Sequence, residues 1–133
     1  MKDMKFPDYF PEGCPPSDTI EEELSVYRIA RYNPINIKDF QVNFIKTPGK
    51  FDHDVRAYGL SVYEDIESLE KCRSKVPGLR RRKHIYKATT KNEYGKIKRT
   101  PNEFGKHITW WLYEQTDPLE IFSLYVRGEN NGK

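Results

Sequence analysis

No apolar run in this chain approaches the roughly 18–20 residues that a membrane-spanning helix needs. Its first residues, Met1-Lys2-Asp3-Met4-Lys5, lead into Phe6-Pro7-Asp8 with no apolar signal-peptide core. Together these absences predict a cytoplasmic location and no membrane partner. Cysteine is scarce. Cys14 and Cys72 stand alone, which excludes a disulfide framework and the paired spacing of a zinc site. Cys72 falls on the apolar face of a predicted helix and reads as core. Cys14 sits in the stiff run Gly13-Cys14-Pro15-Pro16, where a reactive thiol is the alternative to packing. There is no internal repeat, no low-complexity stretch, no Walker-type loop, no dinucleotide glycine fingerprint and no His-Glu-x-x-His. The histidines His53, His84 and His107 are scattered. Asp52-His53-Asp54 is the one conceivable local ligand set, a solvated loop is the plainer reading, and no metal is expected.

What is present fits one domain. The 133 residues are 36% hydrophobic and 14% aromatic, enough for a single core and too aromatic for a disordered chain. Residues 1–19, with Pro7, Pro11, Pro15 and Pro16, read as an extended leader draped over a domain spanning 20–127. Residues 128–133 read as a flexible tail. Alternation of apolar and polar residues predicts a first strand over 24–32, broken by Asn33-Pro34. Asn36 caps a predicted helix through Lys46, with Ile37, Phe40 and Phe44 on one face and Pro48-Gly49 as its stop. A short strand over 57–63 runs into a helix over 64–75, whose acids lead and bases trail as the macrodipole favours. Strands follow over 80–90, 96–99, 107–113 and 121–126, with a turn or single helical turn at Asp117-Pro118-Leu119-Glu120. The predicted class is α+β, with a mixed or mainly antiparallel sheet and two principal helices.

Charge is divided sharply along the chain. Residues 1–70 carry 8 Lys and Arg against 14 Asp and Glu, net −6. Residues 71–106 carry 13 against 2, net +11, and residues 107–133 carry 2 against 4, net −2. A block this basic implies a polyanionic partner. Arg80, Arg81, Arg82, Lys83, Lys96, Lys98 and Arg99 supply phosphate contacts, and Tyr86 or Tyr94 supplies stacking. This predicts a non-catalytic module that binds nucleic acid or an acidic protein through residues 80–106, as a toxin–antitoxin or accessory protein would. A solvated basic edge that resists aggregation is the plainer reading.

Three further segments point elsewhere. Val26-Tyr27-Arg28 lies on the first strand, Gly59-Leu60-Ser61-Val62-Tyr63 on the strand before a helix, and His107-Ile108-Thr109-Trp110 on a late strand with Glu114 beyond it. In this order they resemble ADP-ribosyltransferase-like folds, compact bacterial effector toxins above all. The resemblance rests on Tyr27, Arg28, Gly59, Ser61, Val62, Tyr63, His107 and Thr109. It lacks the Ser-Thr-Ser triplet and the Glu-x-Glu pair of arginine-type transferases, having Glu114-Gln115 in place of the latter. The resemblance implies NAD as cofactor and a phosphate-bearing target held by the basic stretch. Arg28 would grip the ribose-phosphate, Ser61 and Tyr63 would line the pocket with Tyr27 and Trp110, His107 and Thr109 would orient the substrate, and Glu114 would stabilise the transition state. On this reading Arg28→Ala and His107→Ala abolish activity and leave the fold intact. A single His-x-Thr, without a second copy, does not make a two-histidine phosphoesterase.

Overall fold

A computed structural model of the chain describes residues 5–32, 34–40, 54–79 and 84–126. Among the described residues six strands form one sheet, wholly antiparallel: β1 (Ser25–Ala30), β2 (Leu60–Tyr63), β3 (His84–Thr89), β4 (Gly95–Arg99), β5 (His107–Leu112) and β6 (Ser123–Tyr125). They lie in the order β4-β5-β2-β1-β3-β6. The α-helices of the described residues are α1 (Ile66–Lys75) and the single turn α2 (Pro118–Ile121). The expected α+β class is thus observed.

The period of two along each strand divides the core. Val26 and Ala30 of β1, Leu60 and Val62 of β2, and Ile108 and Trp110 of β5 belong to one cluster, with Phe40 and Phe122 packed over them. Ile29 and Tyr63 point the other way, where Leu69 and Cys72 of α1 cover them. Cys72 is therefore in the core as expected, with Ile66 and Val76 half-buried beside it. Asp65 caps α1 by accepting from the Ser68 amide at 2.9 Å. A third cluster joins Ala57, Tyr58 and Trp111 to Phe6, Phe10 and Cys14 of the leader. Trp110 and Trp111 face opposite ways, and both are 0% exposed.

Several boundaries differ from the sequence reading. Residues 55–58 form a 3-10 turn, and β2 starts only at Leu60. Asp54 accepts from the Arg56 amide and holds this turn closed. Gly59 follows because no side chain fits there: a Cβ would overlap the Thr109 methyl and sit 3.2 Å from the Trp111 ring. The described part of the 37–46 helix is a 3-10 turn over Ile37–Phe40, with Asn36 Oδ1 accepting from the Lys38 amide as a cap. Its remainder lies outside the described residues, as does the predicted 80–83 opening of β3. The leader folds in turns, with Phe10 N–H donating to Pro7 O and Cys14 N–H to Pro11 O.

One buried hydroxyl extends the β1–β3 ladder. Thr90 is 1% exposed. Its Oγ1 donates to Glu22 O at 2.7 Å and accepts from the Leu24 amide at 2.9 Å. Thr90→Val keeps the shape but strands both backbone groups, so a loss of about 1–3 kcal/mol is expected in urea unfolding.

Candidate functional site

The sheet sorts the candidate residues into two groups. Tyr27 pairs with Tyr63 and Tyr63 with His107, while Ser61 pairs with Thr109. Directly opposed residues share a face, so these five stand on the α1 side. Arg28 and Trp110 are one residue out of phase and stand on the other. The sheet therefore lies between residues that the resemblance would put in one pocket.

On the α1 side the polar atoms bond to one another. Thr100 Oγ1 lies 2.8 Å from His107 Nδ1 and 2.8 Å from Thr109 Oγ1. His107 Nδ1 is also 3.1 Å from Thr100 O. Asn102 Nδ2 donates to the Tyr63 hydroxyl at 3.0 Å, and the Tyr63 and His107 rings meet edge to face. Thr109 is 1% exposed, so this hydroxyl sits within the wall rather than on a surface. These bonds pin the 100–106 loop, whose Gly105 (φ +132°) packs where any Cβ would overlap the Ser68 hydroxyl. The Ser61 side chain is exposed, and its carbonyl is the atom engaged.

Burial is the main cause that lowers the His107 pKa. The Thr100 carbonyl opposes this, and the positive charges of Arg56 and Arg28 reinforce it. An unfolded imidazole titrates near about 6.5. Below that pH the unfolded chain takes up a proton that the folded chain still refuses, so stability falls as pH drops, until the lower folded pKa is passed. Urea midpoints at mildly acidic and neutral pH should show this loss in the wild type, and His107→Gln should shrink it. An equal pH dependence in both proteins would remove His107 as the cause.

On the opposite face Arg28 is committed to backbone. Its Nε and NH2 donate to Asp39 O at 3.0 and 2.7 Å, and NH1 donates to Ser61 O at 2.7 Å. The last bond bridges β1 and β2, whose register has a single Cα pair, Tyr27 with Tyr63, against six for β1 and β3. The Asp39 carboxylate, itself buried, accepts from the Arg31 and Asn36 amides at 2.7 and 3.1 Å. Arg28 Cζ lies 5.8 Å from the Phe40 ring centroid.

Phe40 is also a wall of a cleft of about 690 Å³. This volume falls within the range of small-molecule sites. Trp110, Tyr58, Tyr113, Tyr9 and Phe10 supply further aromatic walls, and Asp8 and Glu114 supply the charged lining groups. Trp111 Nε1 donates to Val55 O at 3.0 Å. Trp110 Nε1 is buried with no hydrogen-bond partner among the described residues. An unbonded donor is costly in an interior, and here it belongs to a residue that lines a cavity. Phe40, Tyr58 and the leader aromatics were missed as site residues. Their signal was Phe6, Tyr9 and Phe10 inside an otherwise polar, proline-rich leader.

The basic stretch is partly neutralised at β4. Lys98 pairs with Asp18 at 2.8 Å, and Arg99 reaches both Glu22 and Glu64. Lys96 lies on the same strand, opposite Trp111. Tyr86 is 4% exposed within the core, so the stacking role assigned to it is corrected. Arg80, Arg81, Arg82 and Lys83 lie outside the described residues, as do Asp52 and His53. Asp54 is paired with Arg56 at 2.8 Å. No group of three or more potential metal ligands occurs among the described residues. Burial pushes the Cys14 thiol up to about 11, and it points to Val55 O, which removes the reactive-thiol reading. Among the described residues, no helix is long and apolar enough to cross a membrane.

No family model, curated protein or solved structure matches this chain.

Proposed function

We propose that the chain is a compact ADP-ribosyltransferase-like enzyme that takes NAD, with the nicotinamide end in the aromatic cleft. One observation carries this reading: Trp110, whose indole N–H is buried and unpartnered, lines the same cavity as Glu114, and among the described residues no lysine or arginine lines it with them. A flat, positively charged ring bearing a carboxamide suits that lining. Its face stacks on aromatic walls, its charge is favoured by Asp8 and Glu114, and its carbonyl reaches Trp110 Nε1 once a turn of that ring brings the sealed N–H to the cavity.

The adjacency of β5, β2 and β1 supports the reading further, because the three segments that carry the resemblance fall on three neighbouring strands. In the reaction the C–N bond between ribose and nicotinamide breaks. The bonding pair leaves with neutral nicotinamide, and the anomeric carbon is left cation-like. The Glu114 carboxylate stabilises that charge until a nucleophile on the target, or water, attacks and gives up its proton. Arg28 takes a different part from the one the resemblance implies. Its guanidinium holds the seam between β1 and β2 and the 37–40 turn.

The test is nicotinamide release from NAD by the purified chain. Wild type should release it, and Glu114→Gln should be slower by about 100-fold or more, the size of effect seen when one transition-state charge partner is removed. Absence of release, together with RNA or DNA binding that weakens steeply with salt, would replace this reading with the basic binding module.

A further inference from the structure

We propose that the leader segment Lys5–Phe10 is a working wall of this cleft, and that Phe6 is the positioning residue that sets Glu114. The catalytic part of this inference rests on the transferase reading above; the structural part does not. Pro7, Asp8, Tyr9 and Phe10 line one side of the cavity. Residues 5–10 contain no helix or strand. They are seated by rings: Phe6 lies 4.6 Å from Tyr113 and 5.5 Å from Phe10, and Phe10 meets Tyr58 edge-on at 5.8 Å.

Glu114 lies two residues past the end of β5, and its backbone is gripped by this segment. Its amide donates to Lys5 O at 2.7 Å. The residue before it is held by a different part of the chain, since the Tyr113 amide donates to Tyr94 O at 2.9 Å. Thr116 joins that second anchor through its N–H to Tyr113 O and its hydroxyl to Tyr94 O. Release of the leader would therefore remove the partner of the Glu114 amide and leave those of Tyr113 and Thr116 in place. The Phe6 ring is the contact that couples the two, because it packs at a tilt against Tyr113 while its chain neighbour Lys5 accepts from Glu114. A cleft with this wall removed would keep Trp110 and Phe40 but would lose its fix on the carboxylate.

The experiment uses the full ¹⁵N-labelled chain as wild type, Phe6→Ala and Phe6→Leu. Amide exchange reads local opening residue by residue. Phe6→Ala should speed exchange of the Glu114 amide at least tenfold, with the Tyr113 amide unchanged, and Phe6→Leu should restore most of the protection. In nicotinamide release, Phe6→Ala should lower kcat about tenfold with a smaller change in KM, and Phe6→Leu should recover it. Unchanged protection at Glu114, or equal loosening of Tyr113 and Glu114, overturns the wall. Selective loosening with an unchanged kcat overturns the positioning role. A wild type that releases no nicotinamide defeats the transferase reading alone, since the exchange pattern still decides whether the leader holds Glu114.

Discussion

Trp110→Phe should leave the domain nearly as stable as wild type and slow nicotinamide release by one to two orders of magnitude. Trp110 is 0% exposed and packs 5.8 Å from the Phe122 ring. Its Nε1–H is already buried without a partner, a penalty of about 1–3 kcal/mol that phenylalanine does not carry. The smaller ring leaves some space, so the two effects offset and the net change should stay within about 1.5 kcal/mol. Trp110→Ala instead opens a large void and should cost about 3–5 kcal/mol, a large part of the total stability of a domain this size. Guanidinium unfolding gives both numbers, and initial rates give the activity. A Trp110→Phe enzyme as fast as wild type would show that the indole donor has no part in binding NAD.

Arg28→Ala should destabilise the fold by about 2–4 kcal/mol, in proportion to the charged hydrogen bonds it removes. This replaces the expectation that the substitution spares the fold with its opposite, on the strength of the three bonds that Arg28 makes. Two carbonyls, Asp39 O and Ser61 O, lose their donor together. Arg28→Lys should recover less than half of the loss, because a single ammonium cannot span two carbonyls that a planar fork reaches at once. Urea midpoints for the three proteins decide the matter. A lysine variant as stable as wild type would mean that charge alone, and not the fork, is what the seam requires.

Much of the fold could be read from local pattern, because local chemistry decides it. The leading acids and trailing bases over 64–75, with the spacing of Leu69 and Cys72, predict a helix with that face buried, and the alternation over 24–32 and the β-prone run 107–113 predict strands. The 3-10 turn at 55–58 was not legible. Ala57 and Tyr58 suit a strand, but the Asp54 cap and the space denied to any side chain at Gly59 shift the start of β2 by three residues. The site was harder still. Which face Arg28 occupies relative to His107 depends on register between strands far apart in sequence, and a shift of one residue reverses it. Tyr86 failed for the same reason, since its place between β1 and β6 buries it. Glu114 and Trp110 were named from the resemblance, whereas the walls around them come from Phe40 and the leader, which no strand pattern marks.

The strand order also dictates how this chain must assemble. Only β4 and β5 meet through a short connection. Ser25 must find Thr89, and Val62 must find Ile108, before the middle of the sheet exists. Long closures of this kind are entropically costly and slow. During synthesis β1 emerges early and waits, its two edges open, for β2 and then β3. β3 in turn stays open on one side until Ser123–Tyr125 leaves the ribosome. Nascent chains are therefore exposed to strand-mediated association for much of their synthesis, and until the basic block 71–106 emerges the acidic residues 1–70, net −6, supply a repulsion that keeps the waiting edges of β1 and β2 apart.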